Sequence, residues 1–265
     1  MKRDIKILES MDGVSEIQNN SLILGDCLEV MPKIREKSID MILCDLPYGR
    51  THNKWDSIIP FEDLWSNYNR VIKDNGVIAL FADGMFMAKL MLSNEKMWRY
   101  NLVWDKVLVS GFLNANRQPL RSHEEIVIFY KKQPTYNPQK IKGNPNHSKG
   151  TTTKNTNNNY GKYDLVDNRE LLGDMKHPKS IWTFEKPHPS KMVHPTQKPL
   201  SCIENLIKTY TNEGDLVLDN CMGSGTTCIG ALNLNRDFIG IEKDEKYFEI
   251  VKSRILENQG ELSDE

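Results

Sequence analysis

The sequence has no long hydrophobic run. None of its 265 residues lie in a stretch that approaches the roughly 20 consecutive apolar residues a helix needs to cross a bilayer. The first residues, Met1 to Asp4, do not lead into the apolar core of a signal peptide. We therefore expect a cytoplasmic protein with no membrane partner.

Cysteine is also scarce, and the five cysteines form no Cys-x-x-Cys pair. Closely spaced pairs of that kind are typical of zinc sites and of redox motifs. Several of the cysteines lie in or beside predicted strands or a glycine-rich turn, where reduced structural thiols are common. The sequence thus predicts reduced cysteines, no disulfide framework and no metal site.

Net charge is nearly absent, at −1 for the whole chain, but the charge is unevenly distributed. Residues 131–200 contain 13 Lys and Arg against 5 Asp and Glu, a net charge of +8, so the remainder carries −9. A basic segment of this kind indicates a polyanionic partner such as nucleic acid. A solvated basic loop without a partner would have the same composition.

Short apolar runs alternate with segments whose apolar residues recur at helical spacing. This alternation predicts an α/β fold, a Rossmann-like and mostly parallel sheet of about seven strands with helices on both faces. The predicted strands contain Leu22–Leu24, Met41–Cys44, Val77–Phe81, Leu102–Trp104, Ile126–Tyr130, Leu216–Leu218 and Phe238–Ile241. The predicted crossover helices are Phe61–Lys73 and Pro199–Thr211, and each ends near a glycine.

One segment, from Lys132 to Lys191, breaks this alternation. It is rich in Asn, Thr and Lys, and it cannot bury much apolar surface. We predict that residues 132–191 form a polar, basic insertion between the two halves, 1–131 and 192–265, of a single domain.

The tetrapeptide Asp45-Leu46-Pro47-Tyr48 follows a predicted buried strand, Ile39–Cys44. Open α/β sheets bind their ligands at the carboxyl ends of the strands. The tetrapeptide combines an acidic acceptor, a proline that stiffens the chain and an aromatic ring, and such a set can hold a planar exocyclic amine. By itself it is also a common turn sequence.

A glycine-rich turn, Asn220–Thr227, lies between a predicted strand, Asp215–Asp219, and a predicted helix, Cys228–Leu234. Its glycines allow the backbone to approach a ligand, and the helix start offers free N–H groups to an anion such as a carboxylate. No lysine follows Gly225-Thr226, which excludes a P-loop, and the third glycine of the dinucleotide fingerprint is missing.

The next predicted strand ends in Glu242, 23 positions after Asp219. At about this distance, nucleotide-binding folds place the acid that accepts the two ribose hydroxyls. Together with the missing phosphate motifs, this favours a nucleoside ligand without a pyrophosphate. S-adenosylmethionine fits, with its ribose on Glu242 and its amino-acid end near the glycine turn.

Together these motifs resemble those of the amino-directed DNA methyltransferases, in the order of the β group, where the Asp-x-Pro-Tyr motif comes first and the glycine turn last. The resemblance extends over most of the chain. It also includes Leu24-Gly25-Asp26-Cys27, Trp104-Asp105-Lys106, Arg121-Ser122-His123-Glu124 and the highly specific His194-Pro195-Thr196-Gln197-Lys198-Pro199. It implies an S-adenosylmethionine-dependent, site-specific enzyme that methylates the N6 amine of a flipped adenine in double-stranded DNA. Enzymes of this kind serve restriction–modification, and β-group members are commonly homodimers.

The resemblance also implies a set of cofactor-binding residues. Asp26 and the backbone at Cys27 would meet the adenine ring of the cofactor, and Thr196 and Lys198 would lie near its methionine end, although Lys198 is equally suited to a DNA phosphate. The full set is Asp26, Cys27, Thr196, Lys198, Asp219, Cys221, Gly223, Ser224, Gly225, Thr226, Thr227 and Glu242.

In the reaction that the resemblance implies, the Asp45 carboxylate and the Leu46 carbonyl each accept one N–H of the target amine. Pro47 stiffens the turn and Tyr48 stacks on the flipped base. Most family members have proline at the position of Leu46, but the backbone carbonyl acts there, so leucine should be tolerated. The sequence contains no Pro-Cys dipeptide, which disfavours methylation of cytosine C5 through a thiolate.

DNA contacts are expected from two segments. The basic insertion offers lysines for phosphates, and Gly111–Arg121 is a second candidate for reading base edges, although its polar residues are also typical of caps and turns. The candidate DNA-binding residues are Asn114, Arg117, Arg121, Lys142, Lys149 and Lys154.

Four alternatives remain open. A cytosine-N4 methyltransferase uses the same amine geometry, but its tetrapeptide mostly begins with serine. A protein-glutamine methyltransferase normally begins it with asparagine and has the glycine turn earlier in the chain. A catalytically silent DNA-binding protein would have lost either Asp45 or Glu242, and a dinucleotide-dependent oxidoreductase would bind a different cofactor.

Overall fold

The structure is a computed structural model that describes residues 3–49, 56–144, 174–186 and 197–260. The chain divides into two compact units. The larger comprises Met1–Asn137 and Ser180–Glu265, and the smaller comprises Pro138–Lys179.

In the described residues there are eleven strands and six α-helices. The strands are β1 (Lys6–Leu8), β2 (Ser21–Leu24), β3 (Ile39–Cys44), β4 (Ile72–Ala82), β5 (Trp98–Ser110), β6 (Arg121–Phe129), β7 (Ile141–Lys142), β8 (Met175–Lys176), β9 (Ile181–Thr183), β10 (Leu216–Asp219) and β11 (Asp237–Glu242). The helices are α1 (Cys27–Val30), α2 (Phe61–Val71), α3 (Gly84–Ser93), α4 (Leu200–Tyr210), α5 (Thr226–Asn233) and α6 (Glu245–Asn258).

The larger unit contains a nine-stranded sheet, with the order β1-β2-β11-β10-β3-β4-β6-β5-β9. The first six strands in this order are parallel, and β6 runs antiparallel to both β4 and β5. The predicted mostly parallel sheet is confirmed, although it has nine strands rather than about seven. The two additional strands, β1 and β9, have three residues each, which is too short for a recognisable apolar pattern. In the smaller unit, β7 and β8 form an antiparallel pair.

Helices cover both faces of the sheet, as predicted. Along β3, Ile42 and Cys44 pack with residues of α1, α2 and α3, whereas Met41 and Leu43 pack with residues of α4, α5 and α6. Because both sets are buried, the strand reads as a continuous apolar run rather than an alternating one. Among the described helices, none is long and apolar enough to cross a membrane.

Helix boundaries differ slightly from those predicted. Helix α2 ends at Val71 because Ile72 adopts an extended conformation and begins β4. Helix α5 begins at Thr226, two residues earlier than predicted, because Gly225 adopts a left-handed conformation (φ 73°) and caps the helix start.

The strand directions explain which residues meet at one edge of the sheet. The parallel strands β2, β3, β10 and β11 all end there. Because β6 is antiparallel to β4, the first residues of β6 lie at that same edge, and so does the second half of β5, which pairs with them. Residues far apart in the sequence are thereby brought together.

Gly225 and Gly214 provide a matched test of the glycine turn. Both have a positive φ, 73° and 83°, so alanine should cost each about 1–2 kcal/mol of unfolding free energy. A Cβ at Gly214 would meet nothing within 4 Å, whereas a Cβ at Gly225 would lie 2.6 Å from Cγ1 of Val251. Urea denaturation should show a larger loss for Gly225→Ala than for Gly214→Ala. Equal losses would mean that Val251 moves aside freely.

Candidate functional site

A cavity of about 290 Å³ opens at the edge where β2, β3, β10 and β11 end. It brings together two regions that are distant in the sequence, the Asp45 tetrapeptide and the glycine turn. The predicted site residues that line it are Asp26, Cys27, Asp45, Leu46, Pro47, Tyr48, Lys198, Asp219, Cys221, Gly223, Ser224, Thr226, Thr227 and Glu242. Gly225 caps α5 within the same turn, and Thr196 lies outside the described residues.

Glu242 is the last residue of β11 and is almost completely buried. Its Oε2 accepts a hydrogen bond of 2.8 Å from the Gly223 N–H, and its Oε1 accepts one of 2.8 Å from the Asp244 N–H. Burial raises the pKa of Glu242 to about 7, although these backbone N–H groups partly offset it. The backbone N–H of Lys243 also bonds to this carboxylate, which lines the cavity.

Asp219, the last residue of β10, is also buried. Its Oδ1 accepts a hydrogen bond of 3.2 Å from the Cys221 N–H, and the Thr227 side chain also bonds to it. Burial raises the pKa of Asp219 to about 6, against the effect of these hydrogen bonds. Asp219 thus holds both ends of the glycine turn.

Asp26 is the N-cap of α1. Its Oδ1 accepts a hydrogen bond of 2.9 Å from the Leu28 N–H, and its Oδ2 lies 2.8 Å from Nζ of Lys243. Partial burial would raise the pKa of Asp26, but Lys243 and the Leu28 N–H together lower it. The neighbouring Cys27 contacts Cys221, and this contact and burial raise the pKa of the Cys27 thiol.

The tetrapeptide follows β3 directly. The Tyr48 hydroxyl donates a hydrogen bond of 2.9 Å to Oδ1 of Asp45, and the Tyr48 ring stacks on Phe86 with 4.7 Å between ring centroids. The Leu46 side chain packs into the core beneath the cavity.

Lys198 lies immediately before α4 and contacts the tetrapeptide itself. Its Nζ is 2.8 Å from Oδ2 of Asp45 and 3.0 Å from Oε2 of Glu124, and it also lies over the rings of Phe81 and Trp104, at 5.0 and 5.9 Å from their centroids. The sequence predicted that Lys198 meets the cofactor or a DNA phosphate. In this structure its ammonium is bound to the two carboxylates of Asp45 and Glu124, and the contact with cofactor or phosphate stays a prediction.

Glu124 belongs to β6 and receives a second cation, because its Oε1 lies 3.2 Å from Nζ of Lys106 on β5. Burial would raise the pKa of Glu124, but Lys198 and Lys106 lower it to about 2. Burial raises the pKa of Asp45, and Lys198 acts in the opposite direction. Despite its own burial, Lys198 has a raised pKa because of these two carboxylates.

Several cavity residues had no predicted role. Glu124 and Trp104 belong to motifs noted in the sequence. Their place at the cavity follows from the pairing of β6 antiparallel to both β4 and β5, which the sequence does not reveal. Other cavity-lining residues in this group include Phe81, Lys186, Lys243 and Tyr247.

The predicted DNA-binding residues are separated. Asn114 and Arg117 lie in the exposed connection between β5 and β6, and Arg121, at the start of β6, forms an ion pair with Asp83. Lys142 is in the smaller unit, with its Nζ 3.8 Å from Oδ2 of Asp174. Lys149 and Lys154 lie outside the described residues.

Comparison with known proteins identifies similar sequences and folds. The model of a family described as DNA methylase matches residues 39–253. The type II methyltransferases M2.MboI and M1.MboII of Moraxella bovis are 29% and 28% identical to the chain. These alignments cover 92% and 93% of the chain and 90% and 100% of the relatives.

Two solved structures share the fold. The M1.HpyAVI–SAM complex has a TM-score of 0.58 at 24% identity and covers 88% of this chain and 98% of its own. The PvuII DNA methyltransferase, described as cytosine-N4-specific, has a TM-score of 0.65 at 15% identity and covers 92% of this chain and 93% of its own.

The buried Glu242 should make stability depend on pH. Its carboxyl keeps a proton in the folded chain between its ordinary pKa of 4.5 and its folded pKa of about 7, so unfolding releases a proton there and rising pH destabilises the fold. The shift corresponds to about 3 kcal/mol of unfolding free energy. Glu242→Gln should remove this dependence in urea denaturation, and exposed Glu245→Gln should not. Parallel pH curves for the parent and Glu242→Gln would contradict this account.

Proposed function

The chain belongs to this DNA methylase family, and we propose that it transfers a methyl group from S-adenosylmethionine to the exocyclic N6 amine of adenine in double-stranded DNA. One observation carries the proposal: a single cavity is lined both by an acidic acceptor, Asp45, and by a glycine turn whose Gly223 N–H bonds to the buried acid Glu242. Two relatives are type II methyltransferases, and a role in restriction–modification is part of the proposal.

The glycine-turn half of the cavity would hold the cofactor. The Glu242 carboxylate, which lines the cavity, suits the two ribose hydroxyls, and Asp26 with Cys27 suits the adenine edge. The N–H groups at the start of α5 suit the amino-acid end of the cofactor. The other residues predicted for this half, Thr196 included and Lys198 excepted, keep their proposed roles.

The Asp45 half would hold the target amine. The lone pair of an exocyclic amine is delocalised into the ring, and two acceptors for its N–H groups, the Asp45 carboxylate and the Leu46 carbonyl, favour a pyramidal nitrogen. That nitrogen forms a bond to the methyl carbon while the bond from carbon to sulfur breaks, and sulfur keeps the electron pair. The methylated amine then loses a proton to Asp45 or to water.

A base inside a duplex cannot reach this cavity, so the target must be flipped out. One face of the Tyr48 ring is covered by Phe86, and Tyr48 also lines the cavity, so its other face suits the flipped base. Exposed Asn114 and Arg117 suit contacts with the DNA. The same proposal extends to Arg121, Lys142, Lys149 and Lys154.

Adenine is favoured over cytosine by the first residue of the tetrapeptide. In the resembling family, enzymes that methylate cytosine N4 mostly have serine where this chain has Asp45. The likeness to the cytosine-N4-specific PvuII enzyme concerns the fold alone, so it does not outweigh this residue.

The test is to incubate the protein with duplex DNA and S-adenosylmethionine labelled in its methyl group, and to analyse the nucleosides by mass spectrometry. We expect the label in N6-methyladenine. Label in N4-methylcytosine would establish the alternative base, and label in neither base would favour a silent DNA-binding protein.

Asp45→Asn should abolish most turnover while leaving the cofactor bound. Replacing a charged acceptor with an amide of the same shape removes one preorganised interaction, for which we expect a loss of about a hundredfold or more in the single-turnover rate. Calorimetric affinity for S-adenosylmethionine should change by less than about twofold. Exposed Asp63→Asn on α2 is the matched control. Parental turnover in Asp45→Asn would refute the proposed role of the carboxylate.

A further inference from the structure

Five side chains form one continuous series at the Asp45 end of the cavity. Donors and acceptors alternate along it: Tyr48, Asp45, Lys198, Glu124 and Lys106. The series crosses four parts of the fold, namely the turn after β3, the segment before α4, and the strands β6 and β5.

Asp45 is fixed at both oxygens by different groups. Oδ1 accepts from the Tyr48 hydroxyl at 2.9 Å, and Oδ2 lies 2.8 Å from Nζ of Lys198. Rotation of the carboxylate would therefore break at least one of these contacts. A carboxylate oxygen can accept two hydrogen bonds, so these two contacts orient the Asp45 carboxylate and still allow it to accept an amine N–H.

Lys198 is itself held in place. A lysine side chain has many rotamers and normally keeps its ammonium in water, but this one is 9% exposed. Glu124 binds the ammonium at 3.0 Å, and the Phe81 and Trp104 rings lie beneath it. Glu124 is fixed in turn, because Lys106 occupies its other oxygen at 3.2 Å.

We propose that Lys198 and Glu124 are positioning residues for methyl transfer: Glu124 fixes Lys198, and Lys198 orients the Asp45 carboxylate toward the target amine. The proposal rests on the proposed function and adds two residues to its chemistry. It also gives Lys198 a role other than binding the cofactor carboxylate or a DNA phosphate.

Electrostatics gives the two residues opposite effects on Asp45. After burial, which raises the pKa of Asp45, the strongest influences are Lys198, which lowers it, and Glu124, which raises it. The Tyr48 hydroxyl also lowers it. Among the described residues, Cys44, Lys186 and Asp219 also interact electrostatically with Asp45.

The test is the pH dependence of the single-turnover methylation rate at saturating cofactor. The ionised carboxylate accepts an N–H more strongly than the protonated carboxyl does, so the rate falls as pH falls through the pKa of Asp45. Lys198→Met should move this acid limb to higher pH, and Glu124→Gln should move it to lower pH. Both variants should also lose about tenfold to a hundredfold in rate on the plateau, because the carboxylate or its lysine is less well held.

Two further variants separate positioning from simple loss of structure. Lys198→Arg keeps the charge and should restore the parental acid limb with part of the rate. Lys252→Met is a matched control, because Lys252 also bridges two carboxylates, Glu9 at 2.6 Å and Glu249 at 3.4 Å. Lys252 lies on α6 and does not line the cavity. It should leave the profile unchanged.

The outcomes distinguish this proposal from its rivals. If Lys198→Met binds S-adenosylmethionine more weakly by calorimetry and its acid limb does not move, Lys198 contacts the cofactor and the proposal is overturned. If DNA binding by Lys198→Met depends less on salt than that of the parent and the acid limb does not move, Lys198 contacts a DNA phosphate and the proposal is likewise overturned. If the parent methylates DNA and its pH profile coincides with the profiles of both variants, only this proposal is overturned. If the parent methylates no base, the proposed function is overturned as well.

Discussion

The contact between Lys198 and Asp45 is the interaction on which the candidate site depends. Asp45 lies where burial disfavours a negative charge, yet that charge makes it the stronger acceptor for an amine N–H. A buried carboxylate without a cation tends to keep its proton, and a protonated Asp45 would be a weaker acceptor. Lys198, 2.8 Å away, stabilises the ionised form against this burial.

The architecture supplies this contact through strand direction. Parallel strands bring Asp45 and Glu242 to one edge of the sheet, and the antiparallel strand β6 brings Glu124 to the same edge from its beginning rather than its end. The segment before α4 then adds Lys198 across the cavity. The two halves of the site differ in character: the glycine-turn half is held mainly by backbone N–H groups, and the Asp45 half by side-chain charges.

The sequence predicted the elements well because their signals are local. Six of the seven apolar runs lie wholly in strands, and the seventh, Ile126–Tyr130, extends one residue beyond β6. The predicted tetrapeptide follows a strand, and Glu242 ends one at the same edge of the sheet. The short strands β1 and β9 could not be predicted, because three residues carry no periodicity. The partners of Lys198 were missed for a different reason. A lysine is suited to any anion, and only the tertiary arrangement decides that Asp45 and Glu124 are the ones within reach.

The most direct measurement of the central claim is the ionisation of Asp45 itself, observed by NMR of the protein labelled with isotope in the aspartate carboxyl carbon. The Asp45 signal is the one that disappears in Asp45→Asn. We predict that in the parent it reports a carboxylate at neutral pH and titrates above the usual range for aspartate, and that removing the Lys198 charge moves its midpoint higher still. An Asp45 signal that is already protonated at neutral pH, or that does not respond to Lys198, would contradict the account.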